Sequence, residues 1–391
     1  MQKKNTRREF LEKGIKLGVA VPVMGSFLWA CKSGEESNNE NAKEPKKLKI
    51  LILGGTSFLG PHQIAYALDR GHEITTFTRG KTKATVHQEL FDQVTMLVGD
   101  RANDLTALET GEWDVVIDNS GHNEKWTKDT ANLLKDRAGL YMYTSSTGVY
   151  YPYLTSNVDE DFEVLMENPD DPDNTDRTSF YWYGVMKSNS ERLAREAFGD
   201  DRTIVVRPTY MFGPADRTNR FIHWPIRLSQ GGEILVPGKA NDPVQYVDVR
   251  DVAEFMIRLA EEKTAGTFNA VGPKEAQNMY QFVEEASTAF EVEHTFVNID
   301  DYDFLRKNGL FYIVPWILPQ DEYTASALID NSKGVAAGLT FRPLKETVKD
   351  TYDWWYSDNL TEEQRKTFED SPQASINVEK TVLEAWKTLS K

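Results

Sequence analysis

Residues 48–53 (LKILIL) are apolar apart from Lys49 and run straight into Gly54-Gly55-Thr56-Ser57-Phe58-Leu59-Gly60, after which a helical pattern continues to Leu68. A short run of this kind suits a strand buried on both faces, and such strands belong to parallel sheets. Glycine at the turn and at the helix start lets backbone approach a pyrophosphate, whose charge the helix N-terminus attracts. Glycine-rich turns after strands are common, so the weight of this one rests on the pattern of the residues downstream. Residues 72–78, 94–98, 114–119, 139–144 and 203–207 read as further strands, with helical stretches at 102–108 and 124–134 among them. That alternation predicts an α/β chain built on a doubly wound parallel sheet.

Charge divides the chain unevenly. The formal net charge is −16, yet the first thirty residues hold six bases against two acids, so the remainder is more acidic still. An acidic body repels phosphates along a backbone and argues against nucleic acid as a partner. Within those thirty residues Thr6-Arg7-Arg8-Glu9-Phe10-Leu11 resembles the twin-arginine export motif, and residues 17–30 form a mildly apolar run too short to span a membrane. The bland alternative is an amphipathic N-terminal helix. Leu28-Trp29-Ala30-Cys31 then resembles a lipobox, which makes Cys31, the single cysteine, a lipid attachment site. Residues 32–47 lack large apolar side chains and read as a flexible tether. The expected organisation is a signal peptide over 1–30 and a tether over 31–47. That organisation implies an exported protein, periplasmic or at the cell surface, touching membrane only through its lipid.

Two further motifs carry chemistry. Thr144-Ser145-Ser146-Thr147-Gly148-Val149-Tyr150 closes the fifth strand, at the end of a sheet where ligands bind. A Ser/Thr-rich strand end by itself is more often a turn or cap. Tyr183-Gly184-Val185-Met186-Lys187 places a phenol and an ammonium four apart, on one face of a helix. A cation there favours the ionised phenol and so proton exchange near neutral pH. Alone, the pair would usually be a solvated helix face. Between the two lies an acidic insertion, 151–179, read mainly as a solvated loop.

In ordered succession these features resemble the extended or atypical short-chain dehydrogenase/reductase superfamily, of the NAD-dependent epimerase/dehydratase type. The resemblance covers residues 48–272 and weakens beyond. It implies a Rossmann-like doubly wound sheet with a smaller C-terminal α/β substrate-binding lobe. The nucleotide domain would be 48–214 and the lobe 215–391, with 244–272 returning to the sheet. It also implies Ser146, Tyr183 and Lys187 as catalytic residues. A dinucleotide would lie against Gly54, Thr56, Ser57, Phe58, Leu59 and Gly60, with Ser57 standing where the family has its middle glycine. Thr78, Arg79, Lys81, Asp100, Arg101, Asn119, Ser120, Lys187 and Pro208 complete that contact set. Members that prefer NAD carry an acid after the second strand. Here Arg79 and Lys81 stand instead, which favours NADP over NAD, although an exposed basic loop is the plain alternative.

The segments Arg207-Pro208…Gly213-Pro214 and Pro243–Asp248, continued through Ala253, match the family's route into and out of its lobe. Arg220, His223 and Gln245 are the expected substrate contacts, set against an equally simple reading of the segment around them as a surface helix with a buried tryptophan. The six histidines show no paired ligand spacing, so no metal is expected. The aromatic segments 311–316 and 352–356 either lid the pocket or fill the core. Val378, Val382, Trp386 and Leu389 mark an amphipathic C-terminal helix that packs on the body or on another subunit. Family analogy adds a homodimer through the helix at 180–198.

The resemblance implies hydride transfer on a sugar or sugar derivative. Free NAD(P) is scarce outside the cytoplasm, which favours a retained cofactor regenerated in each turnover: epimerisation, dehydration or elimination through a keto intermediate. A net dehydrogenase or reductase of a hydroxy or keto substrate is the enzymatic rival. A non-catalytic dinucleotide-binding protein is the rival of a different class.

Overall fold

The two faces of the first strand set the architecture of this computed structural model, which describes residues 46–153, 155–166, 179–319 and 325–389. The export motif, Cys31, most of the tether and part of the acidic insertion (154 and 167–178) lie outside those residues. In β1 (Lys49–Leu53), Ile50 and Ile52 face one hydrophobic layer while Leu51 and Leu53 face the other. A strand with solvent on neither side needs helices on both, and the chain supplies them. The helices α1 (Leu59–Asp69) and α5 (Val249–Glu262) pack together over one face. The pair α2 (Glu124–Leu134) and α3 (Ser179–Phe198) packs together over the opposite one.

The remaining strands of this sheet are β2 (Glu73–Thr78), β3 (Thr95–Val98), β4 (Trp113–Asp118), β5 (Ala138–Thr144), β6 (Thr203–Pro208) and β10 (Gly266–Ala270). Their order is β10-β6-β5-β4-β1-β2-β3, parallel throughout. This is a Rossmann-like sheet, and its order reverses between β1 and β4, where such sheets open a ligand crevice. The expected helix at 102–108 is absent. Asp100 bridges to Asp104, and beyond it the chain makes only a single 3₁₀ turn, Thr106–Leu108. Asp100, Asn103 and Asp104 favour turns over helix interiors, which accounts for the difference.

After β6 the chain leaves the sheet through β7 (Met211–Phe212). It then builds a lobe from α4 (His223–Gln230), β8 (Gly232–Pro237), β9 (Pro243–Asp248), β11 (Gly272–Asn278), α6 (Met279–Ser287) and β12 (His294–Ile299). Here β11, β9 and β7 form one small sheet, and β12 pairs in parallel with β8. The lobe core is aromatic: Phe212, Phe221, Trp224, Phe282 and Trp316 are buried together. Trp316 is pinned by its indole N–H to Asp242 at 3.0 Å. The segments 311–316 and 352–356 therefore act chiefly as core, with Trp354 and Trp355 buried against Ala215, Ile222 and Ile226. The last helix, α8 (Ser375–Leu389), docks on the lobe through Val382 and Leu383, whereas Leu389 is exposed. Before it in the chain comes α7 (Leu344–Trp355), which packs on both α4 and α6. No described helix is long and apolar enough to cross a membrane.

Candidate active site

The ends of β1, β2, β3, β4 and β5 and the head of α1 converge on a cleft of about 570 Å³, a size common for small-molecule sites. At its floor Gly54 holds φ +88°, and a Cβ there would come within 2.8 Å of the Ser120 Cβ. The turn after β1 and the end of β4 are thus in direct contact at the point where strand order reverses. Gly60 makes the other close approach, since its Cβ would lie 2.5 Å from the Gly55 carbonyl oxygen. The residue before α1, Phe58, provides no side-chain cap, so the first-turn N–H groups have no partner from that residue. The Gly60 N–H bonds the Ser57 carbonyl at 3.1 Å and Pro61 has no N–H, so it is the close glycine turn at the head of α1 that suits a pyrophosphate, and on that observation the residues present suit a dinucleotide. Gly54, Thr56, Ser57, Phe58 and Leu59 line the cleft, and Gly60 lies behind them, against the turn.

The wall beyond β2 and β3 is made by Thr78, Arg79, Lys81, Asp100 and Arg101. Arg79 and Lys81 are exposed and have no ion-pair partner among the described residues. Arg101 behaves differently. Its guanidinium is buried and grips both Asp118 oxygens, donating also to Thr130 Oγ1 at 2.7 Å and Ser120 Oγ at 3.1 Å. Tyr141 donates to the same carboxylate at 2.7 Å. Burial opposes ionisation of Asp118, but the Arg101 charge outweighs it and holds the carboxyl below its usual range. Arg101 thus braces the end of β4, which carries Asn119 and Ser120 into the cleft. Asn119 is itself fixed, donating to Gln63 at 2.6 Å and accepting from Thr144 at 2.8 Å. Pro208 ends β6 as a buried residue outside the cleft wall.

At the opposite end stand Tyr183 and Lys187, while Ser146 lies next to Ser145 without itself lining the cleft. Ser146 precedes the 3₁₀ turn Thr147–Tyr150 and accepts from the Gly148 N–H at 3.1 Å. A Cβ on Gly148 would lie 3.2 Å from Tyr183 Cε1 and 3.4 Å from Ser146 Oγ, so both side chains flank that glycine. Tyr183, in the first turns of α3, is 41% exposed and lines the cleft. Lys187, one turn on, is 4% exposed; its ammonium donates to the Thr144 carbonyl at 2.9 Å and lies 5.7 Å from the Tyr183 ring centre. Burial works against its charge, yet Tyr143, Tyr183 and Asp118 more than compensate and raise its pKa. Lys187 is therefore an ammonium at neutral pH.

Sequence reasoning missed several neighbours. Ser145 lines the cleft and donates to Glu191, which pairs in turn with Arg207 through contacts of 2.6 and 3.0 Å. Glu191 continues the stripe of Tyr183 and Lys187 at the same spacing of four, a signal present in the sequence. His122, Trp126 and Met211 also line the cleft.

The three expected substrate contacts are elsewhere. His223 is buried in the lobe, its pKa driven down to about 3 by burial, with Glu379 Oε2 3.6 Å away. Gln245 spends its amide on Ile329, donating at 2.8 Å and accepting at 3.1 Å. Arg220 is exposed and bonds Thr218 at 2.8 Å over the Tyr210 ring. None of the three lines the cleft; the lobe contributes Asp216, Arg217 and Thr218 instead. Among the described residues no group of three or more His, Cys, Asp or Glu side chains is placed to hold a metal ion.

Comparison with known proteins agrees with this fold. The chain is 28% identical over 324 residues to chloroplast stem-loop binding protein of 41 kDa b from Arabidopsis thaliana, covering 78% of each. Among solved structures it resembles the Bordetella bronchiseptica enzyme WbmH in complex with NAD+, with TM-score 0.56 and 17% identity over 80% of this chain and all of that one. UDP-glucose 4-epimerase from Bifidobacterium longum, in complex with NAD+ and UDP, gives TM-score 0.56 at 14% identity over 79% and 98% of the two chains. These likenesses agree on the fold. The family model for the NAD dependent epimerase/dehydratase family matches residues 50–271, more than half of the chain, and the protein belongs to that family.

Proposed function

We propose that this protein is an NAD(P)-dependent enzyme of the extended short-chain dehydrogenase/reductase type that acts on a hydroxyl-bearing sugar or sugar derivative. The observation that carries this is the opening of Tyr183 and the buried ammonium Lys187 into the same cleft as the uncapped turn Gly54–Leu59. Ser146 already accepts from Gly148, so its own hydrogen is available to a substrate oxygen. Tyr183 exchanges the proton of the substrate hydroxyl, with the Lys187 ammonium one helical turn away. The nicotinamide, when bound, supplies the hydride acceptor and donor.

Export through residues 1–30 and anchoring through Cys31 are part of the same proposal. They favour a redox-neutral reaction with a retained cofactor: epimerisation, or dehydration or elimination through a keto intermediate. A net dehydrogenase would need an external acceptor for each turnover. Arg79 and Lys81, both without a described ion-pair partner, favour NADP, while the solved neighbours were captured with NAD. The test is to denature the purified protein and identify any released dinucleotide and its stoichiometry by mass spectrometry. Near-equimolar NADP or NAD supports the retained-cofactor enzyme. Folded protein that is empty and is not stabilised by added NAD(P) overturns it.

The name of the Arabidopsis relative supports a second reading, a binding protein in which the dinucleotide is structural. The formal charge of −16 disfavours an RNA partner for this chain.

A further inference from the structure

The loop from the lobe that reaches the cleft is pinned at both ends. Pro214 accepts from His62 Nε2 at 3.1 Å, and His62 lies in the first turns of α1, the helix whose first residue, Leu59, lines the cleft. Ala215 is buried with Ile222, Ile226 and Trp354, and Val86 packs against that cluster. Val86 belongs to the same connection after β2 that carries Arg79 and Lys81. Between these anchors Asp216 is 3% exposed, and its Oδ1 accepts from the Thr218 N–H at 2.9 Å and the Thr218 hydroxyl at 2.6 Å. Ala215 at φ 72° and Asn219 at φ 54° bracket the turn. Left-handed conformations are unfavourable for a residue with a side chain, so packing holds this loop in shape.

The loop presents Arg217 to the cleft. It is exposed, lines the wall together with Arg79 and Lys81, and like them has no hydrogen-bond or ion-pair partner among the described residues. Three unpaired cations in one cavity repel one another, and an anion removes that cost. Pro214, three residues before Arg217, is tied through His62 to α1. Arg79 and Lys81 stand instead at the end of β2.

We infer that Arg217 is a clasp for the dinucleotide: it closes from the lobe over the diphosphate held by the α1 N-terminus and slows its release. This rests on the reading of the cleft as a dinucleotide site. The full chain, stripped of nucleotide, is titrated with NAD+ and NADP+ by fluorescence, and release is timed by stopped-flow displacement. Wild type is compared with Arg217→Gln, Arg79→Gln and the distant surface control Lys274→Ala, each first shown to melt like wild type.

Arg217→Gln is expected to raise both dissociation constants about tenfold, or 1.4 kcal/mol. The change should lie mainly in a faster release rate, with a weaker dependence of affinity on salt. Arg79→Gln should weaken NADP+ alone, and Lys274→Ala neither. Unchanged affinity and release in Arg217→Gln overturn the clasp. So does a loss confined to NADP+, which would move Arg217 to the ribose phosphate. Wild-type protein that binds neither nucleotide refutes the cofactor reading itself, and this is known before any variant is made.

Discussion

At the scale of single residues, Tyr183 and Gly54 fail in different ways when altered. Tyr183→Phe removes one hydroxyl from a partly exposed ring and leaves the cleft walls in place. Turnover is expected to fall at least a hundredfold, the usual contribution of a positioned acid–base group, while dinucleotide binding persists. Initial rates beside bound-nucleotide stoichiometry check this, and undiminished turnover would remove Tyr183 from the chemistry. Gly54→Ala meets Ser120 at 2.8 Å in a backbone conformation with φ +88°. A destabilisation of about 1–3 kcal/mol and loss of nucleotide binding are expected, read from denaturation midpoints and titration. Both residues were legible in the sequence because local pattern specifies them, a turn after a strand and a spacing of four on a helix. The structure places His223 and Gln245 away from the cleft for the opposite reason. Their neighbours, Glu379 and Ile329, come from more than eighty residues away, and no local pattern reports them.

At the scale of elements, α8 docks with a buried acid among its apolar contacts. Glu379 accepts from the Leu235 N–H at 2.9 Å and lies 3.0 Å from Arg227, and burial raises its pKa from 4.5 to about 7. A raised carboxyl favours the folded state below pH 4.5 and loses that contribution as pH climbs through about 7. His223 runs the other way. Burial lowers it from 6.5 to about 3, so its contribution is complete above pH 6.5 and is lost as pH falls through about 3. Between about pH 4.5 and 6.5 the two slopes oppose each other. Glu379→Gln removes one of them, and the variant should lose stability on acidification more steeply than wild type across that window. Urea midpoints at several pH values measure it, and parallel curves would refute the assignment. The amphipathic spacing of α8 was readable in advance. The ionisable group in its interface was not, because periodicity counts a glutamate as an outward position.

At the scale of the molecule, an acidic body carries a cleft with unpaired bases. Nucleotide affinity should therefore fall as salt rises, since the attraction is local and screened. At a hundredfold excess of NAD(P) over its dissociation constant, binding should add about 2.7 kcal/mol of stability, seen as a higher melting temperature. No shift with either dinucleotide would count against the cofactor site. The parallel sheet was legible because its strands are short, apolar and evenly interrupted. The course of the lobe was less so, since the segment from β7 to β9 is held by contacts far apart in sequence. That excursion separates β6 from its neighbour β10, and α5, which covers β1, also comes after it. A ribosome that has released the chain only as far as residue 214 therefore presents a bare strand edge and a sheet face covered by α1 alone. The nucleotide half becomes complete only when residue 270 has left the exit tunnel, so the first part of the lobe, through β9, must be synthesised before the part of the molecule it serves can close.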